Sequence, residues 1–152
     1  SYNGEKFSHA SAIKRCLDYK NVSIISFGIR NISESEIAFL KKNKARINIF
    51  WAKDKLKWDL KKFKKMIKNK TVYLTFDVDG LDSGIMPATG TPEPGGLLWD
   101  ETLNIIKIAA KNSNIVGADI NELSPIKGFN SYNFLVAKLA YKILSYTFEF
   151  KK

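Results

Sequence analysis

Thr75-Phe76-Asp77-Val78-Asp79-Gly80-Leu81-Asp82, continuing through Pro87-Ala88-Thr89-Gly90-Thr91-Pro92-Glu93-Pro94-Gly95-Gly96, is the stretch on which the reading of this chain turns. Just before the aspartates, Val72, Tyr73, Leu74 and Phe76 make a short apolar run of β-formers, the pattern of a buried strand. Asp77 and Asp79 stand two residues apart, so a strand that persisted through them would send both carboxylates to one face. Two such charges repel and resist burial unless a cation lies between them. The turn-rich segment that follows has the composition of a βα loop at the carboxyl end of a strand, where open α/β sheets bind ligands. These residues alone predict a hard divalent metal held by oxygen ligands.

Outward from this stretch, helix and strand alternate. Toward the N-terminus the spacing predicts a helix over 8–19, with Ile13 and Leu17 on one face, then a strand over 22–28. A Ser33/Glu36 capping box opens a second helix containing Ile37 and Leu40, and a short strand follows over 46–50. Asp54 is a candidate cap for a third helix whose stripe is Leu56, Leu60, Phe63 and Ile67. Lys55, Lys57, Lys61, Lys62, Lys64, Lys65 and Lys68 fall off that stripe and read as its solvated outer face. Toward the C-terminus come a helix over 101–111 that turns Leu103, Ile106 and Ala110 inward, and a strand over 115–120 that delivers Asn121 and Glu122. A long helix, capped by Ser131, then carries Leu135, Leu139, Ile143 and Tyr146. The alternation, without repeats or an internal linker, predicts an α/β fold with a mostly parallel sheet and helices on both faces.

The chain has 152 residues, enough for one domain with a real core and too few for two. Cys16 is the only cysteine, so no internal disulfide forms and a reducing, cytoplasmic setting is expected. No apolar run reaches membrane-spanning length, so no membrane partner is expected. The net charge is +10, yet Arg15, Arg30 and Arg46 are the only arginines among 25 basic residues. Nucleic-acid readers lean on arginine for bidentate contacts, so a lysine excess of this kind reads as solvated surface and no nucleic-acid partner is expected. Ser1 in place of methionine hints at a processed or excised piece.

The run from Thr75 to Gly96 resembles a signature of the ureohydrolase family, which contains arginase and agmatinase. The matching letters are Thr75, Phe76, Asp77-Val78-Asp79, Pro87-Ala88 and a closing Gly96, and the wording of Thr91 to Leu97 looks more like agmatinase than arginase. Ser8-His9-Ala10 followed by Arg15 resembles the segment that carries a catalytic histidine. Ser26-Phe27-Gly28-Ile29-Arg30 resembles the family's Gly-Ile-Arg strand end, and Asp119-Ile120-Asn121-Glu122-Leu123-Ser124-Pro125 the segment whose glutamate faces a guanidinium group. The resemblance implies that residues 1–152 are the C-terminal part of one arginase-like domain, a three-layer αβα fold incomplete at its N-terminal side.

The resemblance also implies roles. Asp77 and Asp79 would be ligands of a site for two Mn2+ ions, with Asp77 bridging them, and the ions would acidify a water to hydroxide that attacks a guanidinium carbon. His9 would shuttle protons, and Glu122 would pair with the guanidinium and orient it. Asp82 and Thr89 would hold the loop rather than touch metal. The implied activity is hydrolysis of agmatine to urea and putrescine, a step of polyamine biosynthesis, by an enzyme that forms homo-oligomers. Arginase, guanidinobutyrase or formiminoglutamase activity, or a degenerate fragment without catalysis, are the alternatives.

Two letters depart from the family pattern. Ser83 stands where a proline is usual, which frees the backbone of the metal-bearing loop. Ala118 replaces a larger apolar residue, which would leave space beneath Glu122. The larger departure is that the family's other ligand segments, a histidine after Gly-Gly-Asp and an Asp-Ala-His-x-Asp run, are not in this sequence, and His9 is its only histidine. Two carboxylates supply too few donors for two ions, so the chain alone is expected to be inactive or nearly so, with an exposed sheet edge and apolar surface.

Overall fold

The computed structural model of the chain describes residues 4–151, so Ser1 and the outermost ends of the expected 1–152 domain lie outside the described residues. A 3-10 turn at His9–Ser11 leads into helix α1 (Ala12–Cys16), strand β1 (Ile24–Ile29), α2 (Glu34–Lys42) and β2 (Ile47–Trp51). A 3-10 stretch at Ala52–Lys57 precedes α3 (Leu60–Ile67), β3 (Thr71–Asp77), α4 (Trp99–Asn112), β4 (Asn114–Asn121) and α5 (Asn130–Glu149). The α/β alternation is as the periodicity predicts, and both strand pairs are parallel. They are nevertheless two ladders, β1 with β2 and β3 with β4, with no ladder between the pairs among the described residues.

Side chains join what the ladders do not. Phe27 of β1 stacks on Phe50 of β2 with ring centroids 4.3 Å apart and meets Phe63 of α3 edge-on at 4.8 Å. The same Phe27 packs against the buried cluster of Val78, Leu81, Met86, Ala88 and Leu97 beneath the loop after β3. Ile106 of α4 and Leu139 and Ile143 of α5 cover Leu74, Phe76 and Ile120 of the second ladder. Along β3 burial alternates, and the face carrying Tyr73, Thr75 and Asp77 is exposed. That ladder is therefore covered on one face only, where helices on both were expected.

Several local expectations need correction. The first helix is limited to α1, because the Ser8 hydroxyl accepts the Ala10 N–H at 3.3 Å and opens a tighter 3-10 turn before it. The cap of α3 is Asp59, whose Oδ1 accepts the Lys62 N–H at 2.9 Å, so Asp54 and the fully exposed Leu56 lie outside that helix. Lys55 is not part of an outer face: its ammonium donates to the Gly96 carbonyl at 2.7 Å and to Glu101 at 3.1 Å. Ser131 lies inside α5 rather than capping it. The Ser33/Glu36 capping box forms as the sequence predicts, with Glu36 Oε2 accepting the Ser33 N–H at 2.9 Å. No helix of the described residues is long and apolar enough to cross a membrane.

Candidate functional site

Asp77 is the last residue of β3 and caps a single 3-10 turn, Val78–Gly80, its Oδ1 accepting the Asp79 N–H at 2.8 Å. The strand thus stops before Asp79, and the two aspartates do not share a strand face. Val78 turns into the core, and Asp79 turns toward the loop, where the hydroxyls of Thr89 and Thr91 donate to its two carboxylate oxygens. The two carboxylates still feel one another. Burial pushes the Asp77 carboxyl above the usual range, Asp79 and Glu122 add to the rise, and the Asp79 N–H and Arg30 oppose it.

Glu122 arrives from the neighbouring strand. The pairing of Asp77 with Asn121 places it one residue beyond the end of β4. Its φ is +65°, a left-handed conformation that costs a residue other than glycine about 1–2 kcal/mol. Contacts on either side hold it there. The Thr89 hydroxyl lies 2.9 Å from the Glu122 carbonyl, Thr89 bridges Leu123, and the Ser124 N–H donates to the Ala88 carbonyl at 2.9 Å. Thr89 therefore touches both Asp79 and Glu122, a contact that its reading as a loop residue did not include. On the exposed face beside them, Thr75 donates to Asp119 Oδ1 at 2.7 Å and Asn121 donates to the same oxygen at 2.5 Å.

The loop is held by groups from distant parts of the chain. Asp82 accepts the Gly84 N–H at 2.8 Å and the Gly95 N–H at 2.7 Å, and these bonds keep its carboxyl below the usual range. Arg30, just past β1, donates to the carbonyls of Gly28 and Gly80, each at 3.2 Å, and to that of Asp79. Its Nε lies 3.4 Å from Glu93 Oε2, which also accepts from Asn31 at 2.7 Å. Arg30 and Glu93 are site-building residues that the sequence reading did not single out; the arginine ending the Gly-Ile-Arg segment was the available signal. Gly96 is fixed by space, since a Cβ there would sit 2.4 Å from the Leu81 carbonyl. Ser83 uses its N–H to donate to the Glu93 carbonyl at 3.2 Å, a bond that proline cannot make, so the departure adds a tie to the loop. Ala118 is exposed.

His9 lies on the 3-10 turn ahead of α1. It is exposed on its 3-10 turn, and no group of three or more His, Cys, Asp or Glu side chains that could hold an ion forms among the described residues. The donors at the strand ends therefore suit a hard divalent cation in kind but not in number. They are carboxylate oxygens with unused lone pairs in a region of excess negative charge, which a cation would relieve. Two carboxylates leave most of an ion's coordination shell to other donors.

The sequence profile of the Arginase family matches residues 1–145. An N(1)-aminopropylagmatine ureohydrolase of Synechocystis is 35% identical over 148 residues, covering 95% of this chain and 47% of its own. The agmatinase of Bacillus anthracis is 37% identical over 128 residues, covering 83% of this chain and 43% of its own. Among solved structures, the agmatine ureohydrolase of Thermoplasma volcanium superposes with a TM-score of 0.81 at 32% identity, over 97% of this chain and 50% of that one. The chain spans about half the length of the curated relatives it matches.

Proposed function

Because the chain belongs to the arginase family, we propose that residues 1–152 are the C-terminal part of one ureohydrolase domain whose complete form hydrolyses agmatine to urea and putrescine. The observation that carries this reading is the approach of Asp77, Asp79 and Glu122 at the carboxyl ends of the parallel strands β3 and β4. Relatives named agmatinase, at 31% to 37% identity, supply the substrate class. The complete enzyme would be a cytoplasmic homo-oligomer.

Asp77 and Asp79 would hold manganese, two ions in the complete enzyme, together with ligands this chain does not carry. When bound, the metal supplies the Lewis acidity that makes water a nucleophile near neutral pH. The chain's own residues bind and orient. The exposed Glu122 carboxylate accepts paired N–H bonds from a guanidinium and fixes its plane. Thr89, in contact with both Asp79 and the Glu122 carbonyl, keeps the metal-binding and substrate-binding carboxylates in register. His9 exchanges protons with the leaving amine or with bulk water. The chain by itself is inactive or nearly so.

A coupled urea assay on the complete open reading frame, loaded with manganese, tests this reading with agmatine, N(1)-aminopropylagmatine and arginine side by side. Urea from agmatine is the expected result, and no urea from any guanidino compound would falsify the activity. A longer polyamine tail is the second reading, favoured by the Synechocystis relative that matches 95% of this chain. In the complete form of this chain's enzyme Glu122→Gln should remove charge-assisted bonds of about 1.5–3 kcal/mol, which lowers kcat/KM about ten- to hundredfold.

A further inference from the structure

The loop after β3 carries a carboxylate that no step of the hydrolysis uses. Glu93 stands between Pro92 and Pro94, which restrict the backbone on both sides of it, and its carbonyl accepts the Ser83 N–H at 3.2 Å. Its carboxylate is tied through one oxygen. Oε2 accepts from Asn31 Nδ2 at 2.7 Å and from Arg30 Nε at 3.4 Å, whereas Oε1 accepts no hydrogen bond among the described residues. Arg30 does not use up the charge. Its side chain is 12% exposed and its terminal nitrogens go to the carbonyls of Gly28, Gly80 and Asp79. The Glu93 side chain is 40% exposed, so one side of its carboxylate meets the arginine and the other is open to a second cation.

The same segment also reaches the carboxylates at the strand ends. Thr91, two residues before Glu93, donates its hydroxyl to Asp79, and Arg30 bonds both the Asp79 carbonyl and Glu93. Thr91 and Glu93 each precede a proline and so favour extended backbone, which sets their Cα atoms about 7 Å apart. Glu93 therefore stands along the loop from Asp79 by roughly the span of a four-carbon chain. Asn31, exposed beside it, spends its amide nitrogen on Glu93 and keeps its carbonyl oxygen for a donor.

We propose that Glu93 selects the tail of the substrate: its free oxygen, with the Asn31 side-chain carbonyl, accepts hydrogen bonds from a nitrogen cation four carbons away from the guanidinium. The proposal rests on the guanidino-hydrolase reading above and deepens it. Agmatine and N(1)-aminopropylagmatine both carry a protonated nitrogen at that place. Arginine adds a carboxylate beside the nitrogen, and 4-guanidinobutanoate has a carboxylate instead of it. Glu93 repels both, so the same charge that attracts one tail rejects the others.

The test compares agmatine with n-butylguanidine, which has the same four carbons and no charge at their end. The complete protein is titrated with each by calorimetry after chelation of its metal, and urea release is followed separately with manganese loaded. Glu93→Gln should weaken agmatine about five- to tenfold, as expected for a half-exposed charge-assisted bond, and leave n-butylguanidine within about twofold. Affinity for 4-guanidinobutanoate should rise in the same variant. Glu93→Asp, which keeps the charge, should retain more of the preference for agmatine than Glu93→Gln, and it decides the matter if Glu93→Gln fails to fold. Equal weakening of both ligands would mean that Glu93 only ties the loop, and a wild-type protein that binds the two ligands alike would overturn the proposal outright. Equal kcat/KM for the two ligands would likewise overturn it while supporting the hydrolysis. A protein that prefers agmatine through Glu93 and releases no urea leaves the tail site standing and counts only against the activity. One that neither binds nor hydrolyses agmatine overturns both.

Discussion

Asp77 and Asp82 lie five residues apart, and their surroundings push their carboxyl groups in opposite directions. Asp77 is raised, chiefly by burial, so it holds its proton more tightly folded than unfolded. Ionising it then lowers stability as pH rises past the ordinary carboxylate value and through the native one. Asp82 is lowered by backbone N–H bonds from Gly84, Gly95 and Gly96, so its contribution is complete above the ordinary value and is lost as pH falls through the native one. In the metal-free chain Asp77→Asn should therefore raise the urea midpoint at pH 7, with the gain shrinking toward pH 4. Asp82→Asn should lower the midpoint at pH 7, and that loss should shrink as the pH drops below 4. Urea titrations from pH 3 to 7 measure both, and two parallel profiles would show that the loop contacts do not set these affinities.

At the scale of the element, the loop from Val78 to Leu97 is one unit closed on itself. The Leu97 N–H donates to the Gly80 carbonyl and the Asp82 N–H to the Leu97 carbonyl, both at 2.9 Å, with Gly96 pressed against Leu81 between them. Gly96→Ala should cost about 1–3 kcal/mol, because the methyl group meets backbone that cannot move without breaking this bridge. Gly90→Ala is the control, since a Cβ there meets nothing within 4 Å. Equal urea midpoints for the two variants would remove the steric account. The loop also shows how far the sequence could be read. Strands and alternation were legible because the β-former runs and helical stripes are local signals. Asp77 and Glu122 were legible as strand-end residues from the β-former runs before them, whereas the pairing that makes those strands neighbours was not. The role of Arg30 was not, because the carbonyls it binds at Asp79 and Gly80 lie 49 and 50 residues away. Leu56 fitted a helical stripe on spacing alone, but Trp58, whose indole N–H donates to the Trp51 carbonyl at 2.9 Å, holds the preceding segment in a separate 3-10 stretch.

For the whole molecule, the two ladders, the open face of β3 and the short donor set make one prediction about metal. The carboxylates of Asp77 and Asp79 attract a divalent cation, but no group of three or more His, Cys, Asp or Glu side chains that could hold an ion forms among the described residues. A completed site with a micromolar Kd would stabilise the fold by about 4 kcal/mol at 1 mM Mn2+, through linkage alone. In a chain of this size that is a rise in Tm of about 8–16 °C. The chain by itself should instead shift by less than about 1 °C, and Asp77→Asn with Asp79→Asn should not change that result. In the complete enzyme, whose further donors would fill the coordination shell, the large shift should appear, and the same double substitution should abolish it. Thermal melts with and without manganese, on the chain and on the complete enzyme, separate the cases. A shift of several degrees in the chain alone would mean that its own residues assemble a full ligand set, and a complete enzyme with no shift would mean that these two aspartates do not hold manganese.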